Sequence, residues 1–486
     1  MKGAAQFVAP SATVTAYQAD ITYGTGYQFG FDYLRDQLIL RDHGKPTPGR
    51  VATRALRGRH QEAPVACRKR AFAIVDEIDS VMLDEANTPL IMAVRGEIEP
   101  SPPYLLAHST ASEMQLDQHY HYDHRETRID MTEEGYAFAM KALQQSGIRS
   151  LARPWARYVS NALRAIVVLR LDDDYIIGPH EGKTKVQIVD KFTGRILPER
   201  TWSDGLHQAV EVKENLPNSE PNDTNASISR QRYFPLYDSM CGMTGTALGS
   251  EREFRDFYGL HVTNIPTNRP NILSVAKPRY FVDTASKLDA VATDVQHRHQ
   301  DRQPILIGTR TIASSKQVAQ VLEQRGLAVT ILNGVQDAEE AEIVAGAGNP
   351  DSILIATNMA GRGTDIKLKP AAKDAGGLHV IVLEHHESQR VDRQLIGRAA
   401  RQGNPGSYQY MISAEDEVLV RYGPTLADSM QRSAQATGES KRCFAADIDR
   451  LQSKVQKQFY KQRQQMVDRD KWNDHVLNRF WNETTN

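Results

Sequence analysis

Four short apolar runs, each breaking off at a polar or glycine-rich motif, constrain this chain more than any other feature of its 486 residues. They are Ala71–Val75, which runs straight into Asp76-Glu77-Ile78-Asp79, then Pro304–Gly308, Ile353–Ala356 and Leu378–Leu383. Runs this short suit strands buried on both faces, and helical spacing fills the stretches between them. Strands that alternate with helices build parallel sheets covered by helices, so the fold class is α/β. Domains run to roughly 150 residues, so a chain of this length is expected to form three or four rather than one core.

The runs group into two lobes. The first occupies 1–95 and resumes over 189–271, and the second spans 272–420. Between the two parts of the first, residues 96–188 change character, with Pro100, Pro102 and Pro103, a His/Asp-rich stretch from His119 to His124 and a strand pair over Tyr175–Val189. That segment reads as an inserted domain. Asn215–Ser229, rich in Asn, Ser and Pro, reads as a surface loop. From 421 to 486 the chain is polar and helical. Ile448, Leu451, Val455 and Phe459, three and four apart, mark the buried stripe of a packing helix.

Charge argues against one class of partner. Lys+Arg 59 against Asp+Glu 60 leaves a net charge of -1, so no general field draws the chain to nucleic acid or anionic lipid. The stretch Arg50 to Arg70, with Arg54, Arg57, Arg59, Arg68 and Lys69, is the one local candidate for nucleic acid and reads more simply as a solvated loop. No run of about 18 apolar residues occurs, and no signal-peptide pattern, which leaves peripheral contact with a membrane. Cys67, Cys241 and Cys443 lie far apart and form neither CxxC nor a disulfide framework, which fits a reducing cytoplasm and argues against a cysteine zinc site.

An apolar strand that ends in Asp76-Glu77 puts two carboxylates at the carboxyl edge of a parallel sheet, where ligands of such folds bind. Asp76 suits a Mg2+ ion held through water, and Glu77 suits orienting or deprotonating an attacking water in phosphoryl transfer. Thr244-Gly245-Thr246 forms a small-residue turn able to pass nucleotide state between lobes, and Pro266–Pro270 looks like a hinge strand leading into the second lobe. There, Gly361 and Gly363 let the backbone approach a phosphate or ribose, and Asp365 can accept bonds from a facing arginine or a ribose hydroxyl. Arg398 and Arg401, three apart on an expected helix, face one way and can direct guanidinium groups at charge developing on a phosphate. In this order the motifs describe two RecA-like lobes of a superfamily 2 motor ATPase. No G-x-x-x-x-G-K-[ST] phosphate loop occurs in the sequence, and Gly182-Lys183-Thr184 lacks the glycine spacing and falls within the expected strand pair.

At these motifs the chain resembles the SecA family, motor ATPases that drive preproteins through the SecYEG channel. The resemblance rests on AIVDEIDSVMLDEANTPLI from Ala73, VDKFTGRILPERTWSDGLHQAVEVKE from Val189, GMTGTA from Gly242, PTNRP from Pro266, TNMAGRGTDI from Thr357, GGLHVIVLEHHES from Gly376 and QLIGRAARQG from Gln394. It covers most of 15–417 in the family's order. It implies ATP and Mg2+ as ligands, a preprotein cross-linking domain over 96–188 that clamps unfolded preprotein clients, and a tail like the start of the family's helical scaffold. It also implies a bacterial cytoplasmic protein, peripheral at the cytoplasmic face of the inner membrane. Where the family places a nucleotide-contacting aspartate, this chain has Asn404, whose amide keeps an acceptor oxygen without the charge.

Family members carry the phosphate loop upstream of the point where this chain begins. The first lobe is therefore expected to be incomplete, ATP turnover by this chain alone impaired, and a separate N-terminal polypeptide a candidate partner. A strand without its neighbour would expose an unpaired edge beside Ala71–Val75. Two other classes compete: a nucleic-acid helicase of the same superfamily, which would carry basic and aromatic contacts across both lobes, and a client-binding protein that has lost the engine.

Overall fold

The computed structural model describes residues 11–44, 65–67, 69–95, 100–123, 127–180, 182–189, 196–197, 200–220, 222–332, 340–357 and 364–484. The chain divides into two compact units. The first comprises 1–95, 223–263 and 458–486, and the second 96–222 and 264–457. Among the described residues no helix is long and apolar enough to cross a membrane.

At the centre of the first unit Phe72–Asp76 pairs in parallel with Ser239–Met243, in register from Phe72 opposite Ser239 to Asp76 opposite Met243. Alternate side chains of a strand point to opposite faces, and here only one face is covered. On the covered side Ile78, Met82 and Leu83 pack with Leu34, Leu90, Phe234, Phe254 and Tyr258. On the other, Phe72 is 57%, Ile74 66% and Met243 53% exposed. Parallel strands are normally buried on both faces, and among the described residues this pair has no third strand. A second pair joins Leu90–Arg95 to Asn222–Ile228. Over Asn222–Ile228 this corrects the reading of 215–229 as a loop, while 215–220 forms neither helix nor strand. Polar composition hid a strand that is defined by its backbone partner and anchored by the buried Ile228.

The second unit is built on an eight-stranded sheet in the order Thr330–Leu332, Ile353–Thr357, Ile305–Thr309, Leu378–Val382, Gly406–Ser413, Arg279–Phe281 and Glu439–Ser440, with Leu273–Val275 also pairing Gly406–Ser413. Every pairing is parallel except the last strand's. Helices cover both faces. Ile305, Ile307, Ile353, Ile355 and Ile381 enter one core with Val291, Val318 and Leu322. The alternate residues Leu306, Leu354, Val380 and Val382 enter the other with Val344 and Leu395. Two apolar faces explain why these strands read as unbroken hydrophobic runs.

Pro266–Pro270 forms no strand, contrary to the hinge-strand expectation. Its two prolines lack the N–H that a ladder needs, and pairing starts only at Leu273.

Within 101–213 of the same unit, the described residues form a helical body with a hairpin, Tyr120–Asp123 with Arg128–Met131, and a three-stranded antiparallel sheet completed by Ile196–Leu197. Tyr175–His180 and Lys183–Val189 pair antiparallel, as the sequence indicates, and Gly182 turns between them at φ 75°. Thr132 caps the helix Glu133–Ser146 by accepting from the Gly135 amide at 3.0 Å, and Gly147 ends it in the left-handed region. Helix Leu206–Lys213 is buried along seven consecutive residues, Leu206 to Val212. Val212 joins the core made by Tyr104, Trp155 and Leu163, while Leu206, Ala209 and Val210 pack on Tyr175 and Val186.

The tail is helical, with one addition that the sequence did not reveal. Glu439–Ser440 returns antiparallel to Arg279–Phe281 before the helix Ala445–Thr484 begins. Ile448 and Val455 are buried, with Leu451 packed against the neighbouring core.

Candidate functional site

In the first unit the motif residues stand where the two parallel strands end. Asp76 is exposed, and its Oδ1 accepts from the Glu77 amide at 2.9 Å. Glu77 itself lies at φ 48°, a left-handed conformation that costs a non-glycine residue free energy and is often found at functional sites. That turn swings the chain out of the strand, and the Glu77 carbonyl then accepts from Ser80 at 3.0 Å to open a helical turn. Asp79 is fully buried and accepts from Thr246 Oγ1 at 2.6 Å. The Thr246 amide donates to Thr244 Oγ1 at 3.1 Å, so the Thr244-Gly245-Thr246 turn is closed on itself and tied to the acidic motif. Gly245 has open space around its Cα, whereas a Cβ on Gly242 would lie 2.4 Å from Ile78 Cδ1. The glycine that packing demands is Gly242.

In the second unit Arg401 Nη1 donates to Asp365 Oδ1 at 3.3 Å, the arginine–aspartate pairing that the sequence suggested. Arg401 Nε also donates to the Gly397 carbonyl at 2.9 Å. The helix expected to carry both arginines stops short of them. It runs Gln389–Ile396, and Arg398 follows Gly397 at its end. Gly397 approaches the preceding turn so closely that a Cβ would sit 2.9 Å from the Arg393 carbonyl oxygen. Ala400 and Gln402 then adopt φ 53° and 57°, and Gly403 φ 72°. The arginines therefore do not share a helix face: Arg398 is buried and Arg401 is 40% exposed. Asn404 is half-buried and closes this turn with its amide on the Arg401 carbonyl at 3.0 Å. Gly361 and Gly363 lie outside the described residues.

Two contacts of the motif residues escaped the sequence reading. Asp79 was visible as the last acid of Asp-Glu-Ile-Asp, but its burial against Thr246 was not. Arg269, from the Pro266–Pro270 segment, donates to the Gln402 carbonyl at 3.3 Å and packs its side chain on Gly403. The segment singled out as a hinge thus touches the arginine turn.

The arginine turn of the second unit suits a phosphate-bearing ligand. Left-handed residues at Ala400, Gln402 and Gly403 give the backbone a form that favours anions, and the half-exposed Arg401 belongs to that turn. Asp76, exposed with one oxygen engaged by its own neighbour's amide, suits Mg2+ held through water and phosphate. Among the described residues no group of three or more His, Cys, Asp or Glu side chains could hold a metal directly.

Two family models match the chain: the SecA DEAD-like domain over residues 4–255, and the SecA P-loop domain over 276–373 and 369–438. Protein translocase subunit SecA 2 of Geobacillus thermodenitrificans (strain NG80-2) is 41% identical over 454 residues, covering 93% of this chain and 54% of that protein. Protein translocase subunit SecA of Thermosipho melanesiensis is 40% identical over 409 residues, covering 84% of this chain and 45% of that protein. The chain spans about half the length of these curated relatives. Among solved structures, the E. coli DEAD-box protein SrmB matches at 20% identity with a TM-score of 0.25, covering 33% of this chain and 87% of that one.

Proposed function

The chain belongs to the SecA family, and from that membership we propose that it serves preprotein translocation, coupling ATP to the movement of unfolded preproteins through the SecYEG channel from the cytoplasmic side of the membrane. The observation that carries this reading is the match to a SecA 2 translocase subunit at 41% identity over 93% of this chain, and the bond from Thr246 to Asp79, which ties the Thr244–Thr246 turn to the acidic motif, supports it. Asp76 would hold Mg2+ through water, which shields the charge of the phosphates. Glu77 orients or deprotonates the attacking water. Arg398 and Arg401 stabilise charge developing on the transferred phosphoryl group, with Asp365 orienting Arg401. Thr244, Gly245 and Thr246 carry the nucleotide state onward, and Gly361, Gly363 and Asn404 contact the nucleotide.

The domain division of the sequence reading belongs to this proposal, with 96–188 as the client clamp. Because the sequence contains no phosphate loop, whose backbone amides and lysine supply most of the contact energy, the chain by itself should bind ATP weakly and turn it over little. Competition between a fluorescent signal-bearing peptide and single-stranded RNA tests the client assignment. Peptide should win. Stronger, steeply salt-dependent RNA binding would move the chain to the helicase class.

A further inference from the structure

Helix Gln389–Ile396 delivers the chain to Arg398 and Arg401, and the long helix Ala445–Thr484 fastens its start. Asp449, Gln452 and Gln456 are three and four apart and so share one face of the long helix. Gln389 Nε2 donates to Asp449 Oδ1 at 2.9 Å. Gln452 Nε2 donates to the His386 carbonyl at 2.7 Å and to Asp392 Oδ2 at 2.9 Å. Gln456 Nε2 donates to Ser388 Oγ at 2.7 Å, the same oxygen that caps the shorter helix by accepting from the Arg390 amide at 3.3 Å.

Asp392 is the hub of this contact. Its Oδ1 accepts from the His386 amide at 2.9 Å and lies 2.8 Å from His386 Nδ1, while Oδ2 lies 2.7 Å from His385 Nδ1. Asp392 is 2% and Gln452 1% exposed. A carboxylate this deeply buried stays ionised only if its oxygens are filled by donors, and the two histidines beside it hold its carboxyl far below the usual range. The opposite end of the shorter helix is fixed by packing: Leu395 lies so close to Gly308 that a Cβ there would meet it at 2.1 Å. Immediately beyond, the Arg398 amide donates to the Leu395 carbonyl at 3.1 Å.

We propose that Gln452, assisted by Gln456, is a positioning residue for the arginine turn. Through Asp392 and Ser388 the long helix sets how helix Gln389–Ile396 presents Arg398 and Arg401. The inference rests on reading those arginines as charge stabilisers and adds the part that aims them.

The test is hydrogen exchange on the full chain, comparing the parent with Gln452→Leu, which keeps the volume and removes the amide, and with the milder Gln456→Ala. In Gln452→Leu the amides of 397–404 should exchange about 10-fold faster, the scale expected when a bond to a buried charge is lost, while those of Ile305–Thr309 and Leu378–Val382 keep the parent rate. Gln456→Ala should give the same local pattern at about threefold, and it serves if Gln452→Leu fails to fold. Unchanged exchange over 397–404, or acceleration spread equally over both strands, overturns the proposal. Steady-state ATP hydrolysis by the chain fused to a segment that carries a phosphate loop tests the arginine role separately. Parent-like turnover in Arg398→Ala there, with the local exchange effect intact, would overturn the role of Arg398 and leave Gln452 as the residue that positions the turn.

Discussion

Asp79 and Thr246 meet at 2.6 Å although 167 residues separate them, and a buried acid that loses such a donor is left incompletely satisfied. Thr246→Val keeps the shape and removes the hydroxyl, so it should destabilise the first unit by about 1–3 kcal/mol in urea unfolding. A second residue-scale prediction concerns two buried histidines. Burial pushes His207 down to about 4. Burial, with Arg298 nearby, pushes His379 down to about 3. Asp294 lies 3.8 Å from His379 but is already paired with Arg298 at 2.7 Å, so it does not hold a proton on the imidazole. Both histidines fold neutral and take up protons near pH 6.5 only when unfolded. Below that pH the unfolded chain binds more protons, so stability falls as pH drops from about 6.5 toward 4 and is flat in their contribution above it. Thermal melts across this range check the sign, and His379→Gln should flatten the slope. A slope unchanged by the substitution would mean that His379 is already charged in the fold.

Among elements, the pair Phe72–Asp76 and Ser239–Met243 stands out because one face of it is apolar and uncovered. Exposed apolar strands associate readily, so Ile74→Ser should lower aggregation in light scattering without changing the far-UV spectrum. Equal aggregation would show that this face is not the sticky one. The strands of the second unit were legible because both of their faces are apolar and their short runs break off at glycine-rich or polar motifs. Asn222–Ile228 was not legible, since its polar residues form a strand only because Leu90–Arg95 lies beside it. The arginines were found by their spacing, but Gly397, Ala400 and Gln402 turn the backbone after Ile396 and send the two side chains to different depths. That Asp365 would accept from an arginine was legible from the motif, but which arginine was not, and the structure pairs it with Arg401. The Arg269 contact was not legible, because nothing in Pro266–Pro270 announces which loop it will touch.

For the whole molecule, the central proposal is that Asp76, Glu77, Arg398 and Arg401 are the water-handling and charge-stabilising parts of a SecA-type engine, in a stretch of sequence that itself holds no phosphate loop. The chain alone should show little turnover, and supplying a segment that carries the loop should bring it to face Asp76 and Glu77. The most direct measurement is steady-state ATP hydrolysis by the full chain fused at its N-terminus to such a segment. Turnover should appear in the fusion, vanish with Glu77→Gln and fall by something like 10³-fold with Arg398→Ala, the low end of what an arginine finger supplies, while nucleotide affinity changes less. An active fusion indifferent to both substitutions would contradict the claim.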